Sequence, residues 1–237
     1  MSLTLLLLPG LHGGAKLLDR FVAALPDWID PRIITYPNDR AISYDDILDG
    51  LVLPDKPFAV LAESYAGPLG IRIAAAQLPH LRALVLVATF ARCPHPYFPP
   101  WTAALVRHWM FRIPMPLRQN LVRRLFLRDN GPPAELDEGW RELFLCDPEV
   151  LAARVREVVR VDVRNLIPDI TAPTLYVQAS PDVVVPARSM HEIQNSLRHM
   201  EVARFESAHP VLQRRPTKTA IAVAAFLERA MSAKPQA

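Results

Sequence analysis

Four short segments carry residue types suited to nucleophilic acyl chemistry. Ala62-Glu63-Ser64-Tyr65-Ala66-Gly67 follows the apolar run Phe58–Leu61 and opens a helical pattern at Pro68. A serine on a sharp strand-to-helix turn projects its hydroxyl above a sheet, and small residues two before and two after it let strand and helix backbones approach. Here those positions are Ala62 and Ala66 instead of glycines, so the segment alone reads equally as a helix start with Ser64 as N-cap. Leu5–Leu8 run into Pro9-Gly10-Leu11-His12-Gly13-Gly14. Such a glycine-rich loop can turn a backbone N–H toward the serine as half of an oxyanion hole, with Leu11 and Tyr65 as the expected amide donors. A phosphate-binding dinucleotide loop is the competing reading, but its G-x-G-x-x-G spacing is not met.

Two further segments complete the set. Thr174–Asp182 is a strand pattern ending in a polar turn, where the Asp182 carboxylate can accept from an imidazole and fix its tautomer. The bland alternative is a turn or N-cap aspartate. Glu206-Ser207-Ala208-His209-Pro210 follows the last strand pattern and precedes the last helix. A lone histidine is usually inert, so the position of His209 is the evidence. Ser64, Asp182 and His209 thus arrive in the order of one catalytic triad arrangement, each past the end of an apolar run.

Six apolar runs must position these loops: Leu3–Leu8, Arg32–Tyr36, Phe58–Ala62, Arg82–Ala88, Thr174–Gln178 and Glu201–Phe205. Near-continuous hydrophobicity is the mark of strands covered on both faces by helices. Helical patterns alternate with them over Lys16–Leu25, Tyr44–Leu51, Pro68–Leu78, Pro186–Ser196 and Thr217–Met231. The alternation predicts an α/β fold with a doubly wound, mainly parallel sheet of about six strands. From Arg92 to about Pro168 the rhythm breaks, first with four prolines in CPHPYFPPW. Helical patterns follow around Trp101–Phe111, Pro116–Leu127 and Asp147–Val161. This predicts a core of residues 1–91 and 168–237 with a helical cap or lid inserted at 92–167.

The cap is rich in arginine. Arg107, Arg112, Arg118, Arg123, Arg124 and Arg128 occur with no acidic residue until Asp129, interleaved with Trp109, Met110, Phe111 and Leu117. One reading is an amphipathic cap with solvated arginines. The other is an electropositive rim in which Arg107, Arg112, Arg123 and Arg124 attract an anionic, carrier-bound acyl substrate. His12, beside the glycine loop, is a further candidate to line a substrate pocket.

Bulk composition excludes several classes. The 237 residues carry a net charge of +3, with no nucleic-acid recognition motif to accompany the arginines. The apolar opening MSLTLLLLPG lacks a basic n-region and a cleavage site, and no run approaches a membrane span. Cys93 and Cys146 lack the number for a disulfide framework and the spacing for a metal site, which makes a cytoplasmic location the default expectation.

On these segments the chain resembles the α/β-hydrolase superfamily over nearly its whole length, in the branch of small bacterial serine esterases. It opens on what resembles that family's third strand, which implies six parallel strands without the N-terminal hairpin. Pro9-Gly10 stands where the family commonly has His-Gly, leaving the Leu11 amide as donor. The resemblance implies a carboxylesterase with a Ser64–His209–Asp182 triad, needing neither metal nor organic cofactor and acting on a small-molecule acyl ester. It is similar in plan to the enzymes that demethylate pimeloyl-carrier-protein methyl ester in biotin biosynthesis, which makes an acyl carrier protein a second candidate partner. A non-catalytic ligand-binding protein, a cofactor-free haloperoxidase and a lyase use the same scaffold. Haloalkane dehalogenase is disfavoured, since its nucleophile is an aspartate.

Overall fold

A computed structural model describes residues 2–112 and 146–232. Six strands, β1 (Leu3–Leu8), β2 (Ile29–Ile33), β3 (Phe58–Glu63), β4 (Leu81–Val87), β5 (Thr174–Ser180) and β6 (Glu201–Glu206), form one sheet in the order β2-β1-β3-β4-β5-β6. Every pairing is parallel. Helices α1 (Asp19–Ala23), α2 (Tyr44–Asp49), α3 (Gly67–Ala75), α4 (Pro148–Arg160), α5 (Ala187–Ser196), α6 (Val211–Arg214) and α7 (Pro216–Ser232) complete the described residues, with several 3-10 turns.

The period of two along each strand divides the core. Leu6, Leu8, Val60, Ala62, Leu84 and Leu86 pack on one side with residues of α2 and α3. Leu5, Leu7, Ala59, Leu61, Val85 and Val87 pack on the other with α1 and α7. Full burial of each large apolar side chain is worth roughly 1.5–3 kcal/mol, so the central strands dominate the stability. The edge strands β2 and β6 are only partly covered, which is why their sequences, IDPRI and EVARFE, are mixed.

The predicted strand Arg32–Tyr36 lies three residues earlier, at Ile29–Ile33. An edge strand tolerates a missing N–H, and Pro31 sits opposite Leu5 there. The helix predicted over Lys16–Leu25 is a 3-10 turn, Lys16–Leu18, followed by the short α1. The pattern at Trp101–Phe111 is two 3-10 turns, Pro100–Leu105 and His108–Phe111, separated by extended backbone at Val106 and Arg107. The helix predicted at Asp147–Val161 is α4, with the Asp147 side chain capping it through the Glu149 amide at 2.7 Å. The pattern at Pro116–Leu127 lies outside the described residues, as do Arg118, Arg123, Arg124 and Arg128.

The strand order places the site. From β1 the chain moves outward to β2, then returns on the other side of β1 as β3, so consecutive connections lead to opposite sides. Loops diverge at such a switch point and leave a crevice at the carboxyl ends of the strands. Leu8 pairs with Ala62, so the glycine loop after β1 and the turn after β3 emerge side by side.

Candidate active site

At the end of β3 the backbone turns within one residue. Ser64 adopts φ +47°, a left-handed conformation uncommon for a residue with a side chain. A serine held this way signals a local constraint. The constraint is visible beneath it: the Thr89 hydroxyl donates to the Ser64 carbonyl, and Thr89 is held in turn by the Tyr176 hydroxyl, which donates to its carbonyl at 2.7 Å. Gly67 is needed for this approach, since a Cβ there would stand 1.8 Å from Thr89 Oγ1. Ala62 is accommodated in a position often held by glycine because its Cβ faces Gly70, where an added Cβ would meet it at 2.6 Å. The small-residue requirement is met from the helix side.

The three segments meet at the sheet edge. Ser64 Oγ lies 2.8 Å from His209 Nε2, and His209 Nδ1 donates to Asp182 Oδ2 at 2.7 Å. These partners define the tautomer, with the proton on Nδ1 and an acceptor facing the serine. Asp182 Oδ1 accepts from the Val184 and Val185 amides at 2.8 and 2.9 Å. Asp182 is thus both the turn aspartate and the partner of the imidazole: one oxygen organises its own loop and the other orients His209. Both side chains are buried, at 2% and 8% exposure, which excludes competing water. The Ser207 amide donates to the Ser180 carbonyl at 3.1 Å and ties the histidine loop to the aspartate loop.

Leu11, His12 and Tyr65 line the same cavity of about 220 Å³ as Ser64 and His209. Its other walls are mainly apolar, among them Leu17, Phe90, Val155, Val158, Val184 and Val185. The Tyr65 carbonyl accepts from the Tyr44 hydroxyl at 2.7 Å, and the two rings pack with centroids 4.7 Å apart. His12 is buried, and burial pushes its pKa below the usual 6.5, with the Glu63 charge opposing and the Arg154 charge adding to the shift. Among the described residues its Nε2 has no hydrogen-bond partner. Of the predicted rim, Arg107 and Arg112 are exposed and do not line the cavity, while Arg123 and Arg124 lie outside the described residues.

Among the described residues, no three His, Cys, Asp or Glu side chains are grouped to hold a metal ion. No described helix is long and apolar enough to cross a membrane.

Neither a protein-family model nor a curated protein matches the sequence. Solved structures do match in shape. MenH from S. aureus superposes with a TM-score of 0.80 at 16% identity, covering 98% of this chain and 96% of that one. A hydrolase from Pseudomonas aeruginosa PA01 gives 0.78 at 18%, covering 95% and 90%. A thermophilic esterase from Thermogutta terrifontis gives 0.77 at 18%, covering 97% and 91%. The fold is that of the α/β hydrolases.

On the α/β-hydrolase frame, four residues near Ser64 carried no distinguishing signal in the sequence. Glu63, buried beside Ser64, accepts from the Gly10 amide at 3.3 Å and from Gln213 Nε2 at 2.8 Å, joining the glycine loop, the serine turn and α6. His95 lines the cavity and donates from Nε2 to the Val184 carbonyl at 3.0 Å. Arg154, on α4, is the one arginine of 92–167 that the structure brings to the glycine loop among the described residues, donating to the Leu11 carbonyl at 2.7 Å. Its local sequence, LAARVREVV, gives no sign of this.

Proposed function

We propose that the protein is a serine hydrolase that cleaves carboxylic esters through an acyl-enzyme intermediate. The observation that carries this reading is the unbroken chain Ser64–His209–Asp182, with links of 2.8 and 2.7 Å, at the wall of a largely apolar cavity. His209 Nε2 takes the serine proton as Ser64 Oγ attacks the acyl carbon. The oxyanion accepts from the Leu11 and Tyr65 amides, where losing one donor typically costs about 100-fold or more in rate. His209 returns the proton to the departing alcohol. Water, deprotonated by His209, then attacks the acyl-enzyme, releasing the carboxylic acid and restoring Ser64. The Asp182 carboxylate stabilises the imidazolium. The esterase and the hydrolase that share the fold accord with this chemistry.

The cavity, about 220 Å³, is smaller than the roughly 300–1,000 Å³ of pockets for drug-sized ligands. A short or medium, uncharged acyl group suits its walls. The test is hydrolysis of p-nitrophenyl esters of increasing chain length by the wild type and by Ser64→Ala. Turnover that peaks at short or medium chains and vanishes in the variant supports the reading. No turnover in the wild type, or equal turnover in both, overturns it.

A carrier-bound acyl ester or thioester is the second reading. It is favoured by Arg107 and Arg112, which are exposed and form no ion pair among the described residues. It predicts salt-sensitive preference for carrier-bound over free methyl esters.

A further inference from the structure

The guanidinium of Arg154 is 1% exposed, and the described residues offer it no carboxylate partner. Neutral groups hold its two terminal nitrogens instead, while its buried Nε has no hydrogen-bond partner among the described residues. Nη1 donates to the Leu11 carbonyl at 2.7 Å and to Asn38 Oδ1 at 3.2 Å, and Nη2 donates to the Pro37 carbonyl at 2.8 Å. The cation also stands 5.8 Å from the centre of the Tyr36 ring. A buried cation with no anion among the described residues is costly, and a well-packed apolar side chain would often be no worse for stability. Something other than stability accounts for it.

The loop it grips is the one that must present the Leu11 amide. The peptide carrying that N–H ends in the Gly10 carbonyl, which accepts from the Gly13 amide at 3.0 Å. Gly13 has φ +71° and lies flat against Arg154: a Cβ there would stand 2.8 Å from Nη2. Arg154 therefore fixes both sides of the turn, through the Leu11 carbonyl and through Gly13. Its charge also reaches the surrounding groups. Burial is the largest influence on His12, Tyr36 and Tyr65, but the Arg154 charge opposes protonation of His12 and favours ionisation of both phenols. On the other side of the loop, Glu63 places a buried carboxylate against the Gly10 amide, a charge that disfavours an oxyanion nearby. Arg154 offsets it.

We propose that Arg154 is a positioning residue of the oxyanion loop, through which helix α4 of the inserted segment sets both the aim of the Leu11 amide and the positive field behind it. The proposal rests on the serine-hydrolase reading. Donors that are fixed in advance and act in a water-excluded site stabilise a developing charge far more than the substrate's ground state. Arg154 then influences the transition state while making no contact with substrate.

The experiment compares wild type, Arg154→Met, Arg154→Lys and Gly13→Ala on one p-nitrophenyl ester, together with inhibition by an alkylboronic acid, which forms an anionic tetrahedral adduct on serine. Far-UV circular dichroism and titration of Ser64 with a phosphonate count the folded sites. Arg154→Met is expected to lower kcat about 100-fold, with KM within about threefold and boronate affinity falling in step with kcat. Arg154→Lys keeps the charge but not the fork, and recovers part of the loss. Gly13→Ala, which pushes the guanidinium without removing it, lowers kcat and boronate affinity together. Should Arg154→Met fail to fold, the other two variants decide. Folded variants that keep kcat within about threefold, or lose KM alone, overturn the proposal. A wild type without Ser64-dependent turnover overturns the hydrolase reading and this inference with it, an outcome seen before any Arg154 variant is made.

Discussion

The loops leaving the carboxyl ends of β1, β3, β5 and β6 are tied to one another, whereas residues 97–112 of the segment following β4 present large apolar and basic side chains to water. In the first region Glu63 joins Gly10 to Gln213, Ser207 joins Ser180, and His209 links Ser64 to Asp182. In the second, Tyr97, Trp101, Leu105 and Trp109 are each more than half exposed, and Arg107 and Arg112 are exposed beside them. The difference separates two tasks. A reacting geometry must hold to a fraction of an ångström, so its loops restrain each other. A surface away from the reacting atoms has no such requirement.

That contrast breaks first at Asp182. Asp182→Asn leaves the loop nearly isosteric but loses the correct imidazole tautomer, and kcat on a chromogenic ester should fall about 10⁴-fold with little change in thermal stability. A loss of less than about tenfold would detach Asp182 from the chemistry.

Gly67→Ala tests the packing beneath the serine. With 1.8 Å between the added Cβ and Thr89 Oγ1, α3 and the loop after β4 must separate. Overpacking of this kind costs about 1–3 kcal/mol, measured by urea denaturation. An unperturbed midpoint would mean that the turn is looser than described.

His12 sharpens the comparison through pH. Burial, with Arg154 adding and Glu63 opposing, holds its folded-state pKa below the usual 6.5, so the unfolded chain takes up the proton first. The stability this implies is complete above about pH 6.5 and is lost as pH falls toward the folded-state value. His12→Gln should flatten that part of the curve in denaturation experiments from pH 7.5 to 5. An unaltered slope would place the acid sensitivity elsewhere.

The smallest effect belongs to the exposed region. Arg107→Glu with Arg112→Glu should leave turnover of a small ester within about twofold and stability within about 0.5 kcal/mol. A large loss on a small ester would bring these arginines into the site.

The two regions also differed in how much the sequence disclosed. Runs such as Leu5–Leu8 and Phe58–Ala62 are apolar throughout because both faces are covered, and Ser64, Asp182 and His209 emerge past the ends of β3, β5 and β6. Order along the chain was therefore enough to assemble the three. The serine turn was harder, because the glycines that permit it, Gly67 and Gly70, lie outside the expected two positions and act through Thr89 and Ala62. Strand β2 shifted because Pro31 is tolerated only at an edge, which local sequence does not reveal. Arg154 was hidden for a stronger reason. An arginine in an amphipathic helix normally faces water, and its burial depends on carbonyls contributed by Leu11 and Pro37, more than a hundred residues away in the chain. The arginines that drew notice by their density, at 107 and 112, are the exposed ones.

The central claim is that Ser64 is the nucleophile, activated by its place in the linked loops. The most direct measurement is labelling with a fluorophosphonate, followed by peptide mass mapping. The account predicts one stoichiometric adduct on Ser64, formed with loss of ester hydrolysis and absent from Ser64→Ala. A wild-type protein that hydrolyses esters yet stays unlabelled, or is labelled on another residue, would contradict it.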